Sequence, residues 1–171
     1  MLKECHRRVE DQCDTLLRLV PHVAAHGSDA AAAEAAAAVV RYFDLAAPKH
    51  HADEENDLLP ALFKAVEKSD TEGLQAWADR LQADHQALDA QWRALRAVLL
   101  NVMALQPATL DDSAVNSFVQ NYRTHIGFEE GELFPMAQRL LSEVVLAQIG
   151  QSMRRRRGEI PKSLGHQAYR G

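Results

Sequence analysis

Two short segments of the chain carry a histidine followed four residues later by a glutamate. His50 precedes Glu54 in this way, and His125 precedes Glu129. Residues four apart lie on one face of an α-helix, one turn apart along its axis. A metal ion beside that face could therefore take an imidazole nitrogen and a carboxylate oxygen from a single helical turn.

The two segments are copies of each other. Residues 50–60 align without a gap on residues 125–135, and both segments end in proline. His51 and Glu55 form a second pair with the same spacing, turned by about 100° around the helix. Ile126 stands at the position of His51 in the copy. The repeat therefore favours the first His–Glu pair over the second.

A second repeat runs in step with the first. The segment around His6 matches the segment around His85 without a gap, at nearly the separation that divides the two His–Glu segments. The chain thus consists of two helix pairs, each of which supplies one histidine and then one His–Glu pair. Such a repeat predicts an up-down antiparallel four-helix bundle with pseudo-twofold symmetry.

Six residues with metal-ligand chemistry lie on otherwise apolar helical stripes: His6, His50, Glu54, His85, His125 and Glu129. They form either a hydrogen-bonded polar core or a metal site, and we favour the site because buried imidazoles and carboxylates without partners are costly. Two carboxylates can bridge two metal ions, and two histidines can complete each ion. With a bridging oxygen from solvent, each ion keeps one open position for dioxygen, peroxide or nitric oxide. These ligands suit iron, and also manganese or zinc.

Hydrophobic periodicity predicts five helices. They cover residues 2–26, 29–46 with a continuation over 48–68, 71–105, 111–141 and 142–158, to within a few residues. Ser28 or Asp29 is the predicted N-cap of the second helix, and Ser142 that of the fifth. We therefore expect an all-α chain, with the bundle over residues 1–141 and a short C-terminal helix and loose tail over residues 142–171.

Composition and charge exclude several other classes of protein. The net charge of −5 gives no general reason to expect nucleic-acid binding. No cationic, apolar signal segment opens the chain, and no apolar run approaches the ~18 residues that suggest a membrane span. Cys5 and Cys13 lie eight apart on one helical pattern, which is poor disulfide geometry. We therefore predict two reduced thiols in a cytoplasmic protein.

These motifs resemble those of the hemerythrin-like, or HHE cation-binding, proteins over roughly residues 2–141. The resemblance rests on His6, the run His50-His51-x-x-Glu54-Glu55, His85, and His125-x-x-x-Glu129 before Leu133-Phe134-Pro135. It implies a four-helix bundle with a non-haem di-iron centre. By the same resemblance, His6 and His50 bind one iron, His85 and His125 bind the other, and Glu54 and Glu129 bridge the two.

The sequence departs from the oxygen-carrying hemerythrins in two places. Those proteins carry a second histidine on the third helix, where Leu81 and Asp89 flank His85 here. Their carboxylate on the fourth helix is typically an aspartate, one residue later than Glu129. The resemblance is therefore closer to the broader bacterial HHE group, whose roles include sensing or handling oxygen, peroxide, nitric oxide or iron itself.

Other polar residues near these motifs have two interpretations each. Five are either outer partners of the imidazole N–H groups or parts of a solvated face: Glu10, His51, Glu55, Asp89 and Glu130. His22 and His26 are predicted to form a surface pair, and Tyr122 to pack in the core. The run Arg154–Arg157 either complements the dipole of its helix or binds nucleic acid or anionic lipid. Cys5 is turned away from the His6 face and is not a predicted ligand.

Three hypotheses for function follow. The first is a di-iron protein that binds or senses dioxygen, peroxide or nitric oxide, or handles iron, without fast turnover. The second is an enzyme that reduces peroxide or nitric oxide at the same centre, with a nearby acid such as Glu55 supplying protons. The third is a structural or interaction module. The predicted partner is a small ligand, with no nucleic acid or membrane, and the chain is a monomer or a dimer.

Overall fold

Strong helix formers and regular apolar spacing fold the chain into helices over nearly all of its described length. The computed structural model describes residues 2–67 and 70–158, and within those ranges it contains helices and no strand. The α-helices are α1 Leu2–His26, α2 Ala30–Leu45, α3 Ala47–Asp53, α4 Leu59–Ala65, α5 Thr71–Met103, α6 Asp112–Phe128, α7 Phe134–Leu140 and α8 Glu143–Arg156.

Four long helical segments form the bundle. α1 packs against α2, α2 against α5, α5 against α6, and α6 against α1, so the four close into a ring. Each helix is a spatial neighbour of the next along the chain, which is the up-down arrangement. The predicted all-α four-helix bundle with an additional C-terminal helix is thereby confirmed.

Side-chain caps mark three of the helix starts. Asp29 accepts a hydrogen bond from the N–H of Ala32 (2.8 Å) at the start of α2. Asp111 does the same for Ala114 before α6. Ser142 accepts from Val145 before α8, as predicted from the sequence. These contacts satisfy amide groups that have no partner in the first turn of a helix.

The helices predicted to run without interruption over residues 48–68 and 111–141 are each broken by a π-helical turn, and this part of the prediction is wrong. The turns are Glu54–Leu58 and Glu129–Leu133, at the same position in the two copies of the repeat. A π turn adds one residue to a helical turn. Each turn begins at the glutamate of the predicted metal-binding pair.

Proline explains where the π turns lie. Pro60 and Pro135 each follow a π turn and stand in the first turn of α4 and α7. Inside an uninterrupted helix, proline would lack its amide donor and its ring would clash with the carbonyl four residues earlier. Because the π turn starts a new helical segment, each proline occupies a first-turn position where its missing N–H costs little.

Two helices end earlier than predicted. α4 ends at Ala65, because Val66 is extended (ψ 144°), whereas the predicted end, Lys68, lies outside the described residues. α5 ends at Met103 rather than near Leu105. Leu105 adopts a positive φ of 56°, which an α-helix does not accommodate.

The apolar core consists of two clusters with a polar layer between them. One cluster surrounds Phe43, Trp92 and Phe118, and the other contains Leu62, Leu81 and Phe134. Along each bundle helix, the predicted metal-binding histidine falls between residues of the two clusters. Apolar packing on both sides therefore separates this layer from solvent.

α8 packs against α3 and the first π turn through ion pairs. Asp53 is fully buried; it accepts a hydrogen bond from Arg156 and forms an ion pair with Arg157, whose Nη2 lies 2.6 Å from its Oδ2. Arg156 also reaches Asp57 at 2.8 Å. Two of the four consecutive arginines therefore hold the C-terminal helix on the bundle, while Arg154 and its neighbour Arg155 are exposed.

Some predictions concern features outside this description. The predicted loose tail, residues 159–171, lies outside the described residues, and the division of the chain after Leu141 stays a prediction, as does the cytoplasmic location. Cys5 and Cys13 are both free thiols. In the part of the chain that the structure describes, no helix combines the length and the apolar character needed to cross a membrane.

Candidate metal centre

All six predicted metal-binding residues are brought together in the polar layer of the bundle. Each of them is at most 5% exposed. They form two overlapping groups, each with nitrogen or oxygen atoms within 4.8 Å of one another: His6, His50, Glu54 and Glu129 in the first, and Glu54, His85, His125 and Glu129 in the second. The two glutamates are common to both groups, so the centre has two halves that share their carboxylates.

Each glutamate directs one oxygen toward each half. Oε1 of Glu54 lies 3.3 Å from Nε2 of His50, and its Oε2 lies 3.4 Å from Nε2 of His85. Oε2 of Glu129 lies 2.8 Å from Nε2 of His6, and its Oε1 lies 2.9 Å from Nε2 of His125. A carboxylate in this orientation can bridge two metal ions.

The carboxylate oxygens at the centre lack hydrogen-bond partners among the residues that the structure describes. All four carboxylate oxygens of Glu54 and Glu129 are buried and none makes a well-formed hydrogen bond. In each half the two imidazoles face each other through their Nε2 atoms, 3.1 Å apart in the first half and 3.2 Å in the second. Two lone pairs at that distance repel unless a proton or a cation lies between them. The donor set therefore fits a pair of cations such as iron, manganese or zinc.

Carboxylates outside the centre hold the imidazole rings in the required tautomer. Nδ1–H of His6 donates to Glu130 (2.8 Å), and Nδ1–H of His85 donates to Glu55 (2.6 Å). With Nδ1 protonated, the lone pair of each ring is on Nε2 and points inward. Glu55 and Glu130, two of the residues suggested as outer partners, therefore accept hydrogen bonds from the imidazole N–H groups.

A further outer carboxylate was not predicted. Asp84 lies 3.5 Å from Nδ1 of His125, a longer contact than the other two. Asp84 immediately precedes His85 in the sequence. Because its partner lies on another helix, no spacing within its own helix predicts the contact. Nδ1 of His50 is buried and has no hydrogen-bond partner.

Other candidate residues lie away from the centre. Glu10 is exposed, and Asp89 is exposed and pairs with Arg93 on its own helix, so both belong to the solvated face. His22 pairs with Asp29 at 3.0 Å near the surface, with the ring of His26 beside it. Tyr122 packs in the core, with its ring 5.0 Å from that of Phe118 and 5.4 Å from that of Phe43.

Burial and mutual interaction shift the ionisation of the acidic groups in opposite directions. Burial, together with the neighbouring carboxylate of Glu129, raises the pKa of Glu54 well above its ordinary value. Burial acts on Glu129 in the same sense, but its close contacts with the imidazoles of His125 and His6 outweigh it and hold the pKa of Glu129 well below its ordinary value. Without metal, the pair therefore shares a single negative charge over a wide pH range.

The histidines are mostly neutral. Burial lowers the pKa of His85 to about 3 and that of His50 well below its ordinary value. Burial also acts to lower the pKa of His6, but the carboxylates of Glu129 and Glu130 outweigh it and raise that pKa. Neutral imidazoles carry the free lone pair that a metal ligand needs.

One further imidazole lies beside the second half. The ring of His51 stacks on that of His85 with centroids 3.8 Å apart and planes 13° from parallel. His51, His85 and His125 also offer nitrogen atoms within 4.8 Å of one another. Nε2 of His51 is buried without a partner, and burial lowers the pKa of this ring well below its ordinary value.

Comparison with known proteins agrees with this arrangement. The family described as the hemerythrin HHE cation binding domain matches residues 1–137 of the chain. An uncharacterized protein of Haemophilus influenzae is 34% identical over 157 residues, which cover 92% of this chain and 88% of that protein. The family match includes all four bundle helices and every residue of the centre.

Proposed function

This chain belongs to the hemerythrin family of HHE cation-binding domains, and from that premise we propose that it is a non-haem di-iron protein. In this proposal the protein binds or senses dioxygen, peroxide or nitric oxide, or handles iron itself. One observation carries the proposal: each of two buried glutamates directs one oxygen toward each half of the centre, at 2.8–3.4 Å from four different imidazoles.

The six residues would hold two irons, which supply one-electron redox chemistry and open positions for a small ligand. His6 and His50 serve one half, His85 and His125 serve the other, and Glu54 and Glu129 serve both. Zinc and manganese remain alternative metals for the same donors. The family description supports cation binding, and the identity of the cation is our proposal.

The surrounding residues orient the imidazoles of the centre and keep the centre away from water. Glu55 and Glu130 accept the outward N–H groups of two imidazoles and thereby fix their inward lone pairs. The apolar clusters on both sides exclude water, which strengthens electrostatic interactions within the layer. The buried carboxylates supply negative charge that offsets the charge of the cations.

Metal analysis tests the proposal directly. We expect about two irons per chain in protein purified without air, with new near-ultraviolet absorption when the ferrous protein meets dioxygen. The double variant Glu54→Ala with Glu129→Ala should lose both irons. Glu10→Ala with Glu132→Ala is a matched control at exposed glutamates and should retain them. Absence of iron in the unmodified protein, even after reconstitution, contradicts the proposal.

A second candidate function is reduction of peroxide or nitric oxide at the same centre. It is favoured by Glu55, which contacts His85 at 2.6 Å and also lines a cavity beside it. A carboxyl group in that place can deliver a proton to a bound molecule. With an added reductant, an enzyme should consume many equivalents of substrate per chain, whereas a single stoichiometric oxidation supports a binding or sensing role.

The structural-module hypothesis makes a different prediction. If the bundle acts through its surface alone, the double variant Glu54→Ala with Glu129→Ala should keep its fold. It should also still bind its partner protein, whether or not it contains metal. If the centre carries the function, the same variant loses the ligand response while circular dichroism still reports a helical bundle.

A further inference from the structure

A cavity of about 550 Å³ opens beside His85, in the second half of the centre. It lies between α3 and α5, and His51 and His85 are both in its wall. Phe43, Leu88 and Trp92 form its apolar side. A volume of several hundred Å³ is in the range of small-molecule sites.

The other half of the centre is covered by packing. The ring of His6 stacks on that of Phe134 with centroids 5.3 Å apart, and His6 is only 2% exposed. His50 lies edge-on against His6 and is equally buried. A molecule that arrives from solvent therefore reaches the His85 half through the cavity, without displacing this packing.

The charge of the cavity selects against anions. Its two charged lining residues, Glu55 and Asp89, are both acidic, and no lysine or arginine is among the residues that line it. Arg93 pairs with Asp89 outside the cavity, but the wall itself offers an anion no positive group, and an anion would also lose its hydration on entering. A neutral molecule suffers neither effect.

His51 supplies a polar group at the inner end of the cavity. Its ring lies parallel to that of His85, so its nitrogens lie beside the imidazole of His85 and not along the axis of its Nε2 lone pair. Its Nε2 is buried and has no hydrogen-bond partner in residues 2–67 and 70–158. A buried polar atom of this kind is costly unless something else contacts it. Ile126, its counterpart in the repeat, cannot play this role, so the two halves differ in chemistry.

We propose that this cavity binds a neutral small molecule against the His85 half of the centre, and that His51 hydrogen-bonds to the polar end of that molecule. The inference rests on the proposed di-iron function and names the ligand site within it. Dioxygen, nitric oxide and hydrogen peroxide have the required neutrality, and the volume also admits a small organic hydroperoxide.

The experiment uses the iron-loaded protein with two probes. Nitric oxide, the neutral probe, is added to the ferrous protein, and azide, the anionic probe, is added to the ferric protein. Iron content is measured on every variant. His51→Phe keeps a ring to stack on His85 but removes its nitrogens. We expect two irons to remain bound and nitric oxide to dissociate up to about tenfold faster, the effect of one lost hydrogen bond.

Access is tested at the mouth of the cavity. Gln86 is exposed and lines the mouth, so Gln86→Trp should fold and slow the association of nitric oxide. The matched control is Gln148→Trp, an exposed glutamine at a separate cavity between α4 and α8, which should leave the association rate unchanged. Asp89→Lys should strengthen azide binding while leaving nitric oxide binding unchanged.

The outcomes separate this inference from the function on which it rests. If the unmodified protein lacks iron, the proposed function fails. If it holds iron but does not bind nitric oxide, the cavity does not admit this neutral molecule to the centre and the present inference fails alone. If it binds both, but Gln86→Trp associates with nitric oxide as fast as the control, the cavity is not the route. If His51→Phe loses one of its two irons, His51 is itself a metal ligand and its assigned role is overturned. An unchanged dissociation rate in that variant overturns it as well.

Discussion

Replacement of Glu54 by leucine should have opposite effects on the metal-free and the metal-loaded protein. In the metal-free protein, Glu54 is fully buried, both its oxygens lack hydrogen bonds, and it lies beside a second carboxylate. Leucine has a similar volume and removes these unpartnered atoms. The same change deletes a shared ligand and should abolish stabilisation by metal.

The size of the effect follows from the burial. An unpartnered buried polar group costs about 1–3 kcal/mol, and a leucine of different shape in its place costs up to about 1.5 kcal/mol through imperfect packing. Taking the middle of each range, we expect the metal-free variant to be more stable by roughly 1 kcal/mol. For a chain of this size, that corresponds to a rise of about 2–4 °C in Tm.

The assay is thermal unfolding followed by circular dichroism, with chelator and with added metal. The unmodified protein should gain about 2.7 kcal/mol for each metal ion bound at a metal concentration 100 times Kd, and the variant should gain much less. Glu132→Leu, at an exposed position of the second π turn, is the control and should change stability by less than about 0.5 kcal/mol. A metal-free Glu54→Leu protein that is less stable than the unmodified one would refute the reasoning, because it would mean that Glu54 belongs to a satisfied hydrogen-bonded core.

Three further predictions test the surroundings of the centre. Because the pKa values of Glu54 and His6 are raised in the metal-free protein, metal must displace protons from these groups and affinity should fall as pH is lowered. Titration in weakly buffered solution should detect proton release on metal binding, and a pH-independent affinity would contradict this. Glu55→Gln should weaken metal binding about 10–100-fold, because the carboxylate no longer holds the proton of His85 on Nδ1. Competition with a chelator measures the affinity. An unchanged affinity would show that the contact between Glu55 and His85 does not affect metal binding. Asp53→Ala should lower the free energy of unfolding by about 2–4 kcal/mol in chemical denaturation. This is toward the lower end of the range for a broken buried ion pair, because the arginine partners of Asp53 are about one-quarter exposed. The exposed control Arg154→Ala should lower it by less than about 0.5 kcal/mol.

The sequence was sufficient to predict which residues meet. The spacing from His50 to Glu54, and its copy in the fourth helix, specify one face of a helix without knowledge of the rest of the fold. The matching segments around His6 and His85 then indicate that four helices direct one imidazole each to a common layer. Local periodicity and an internal repeat are enough for this conclusion, because both depend on residues close together in the chain.

The features that escaped prediction depend on contacts between distant segments. Asp53 and Arg156 are 103 residues apart in the chain, and neither belongs to a pattern that predicts a partner. The cavity beside His51 is lined by residues of both α3 and α5, so the sequence of a single helix does not predict it. The π turns were missed because a His–Glu pair keeps its spacing whether or not an extra residue follows it.

The π turns also determine how this segment tolerates changes in length. Upstream of each turn the helix presents the imidazole to the polar layer, and downstream it presents apolar residues to the second cluster. The π turn takes up one extra residue between these two faces. If the first π turn became an ordinary α turn with no residue removed, everything after it would rotate by about 100°, which would carry Leu62 away from its cluster while His50 kept its direction. Deletion of Asn56 together with that conversion would restore the original direction of Leu62, so this segment should tolerate the loss of one residue more readily than the insertion of another.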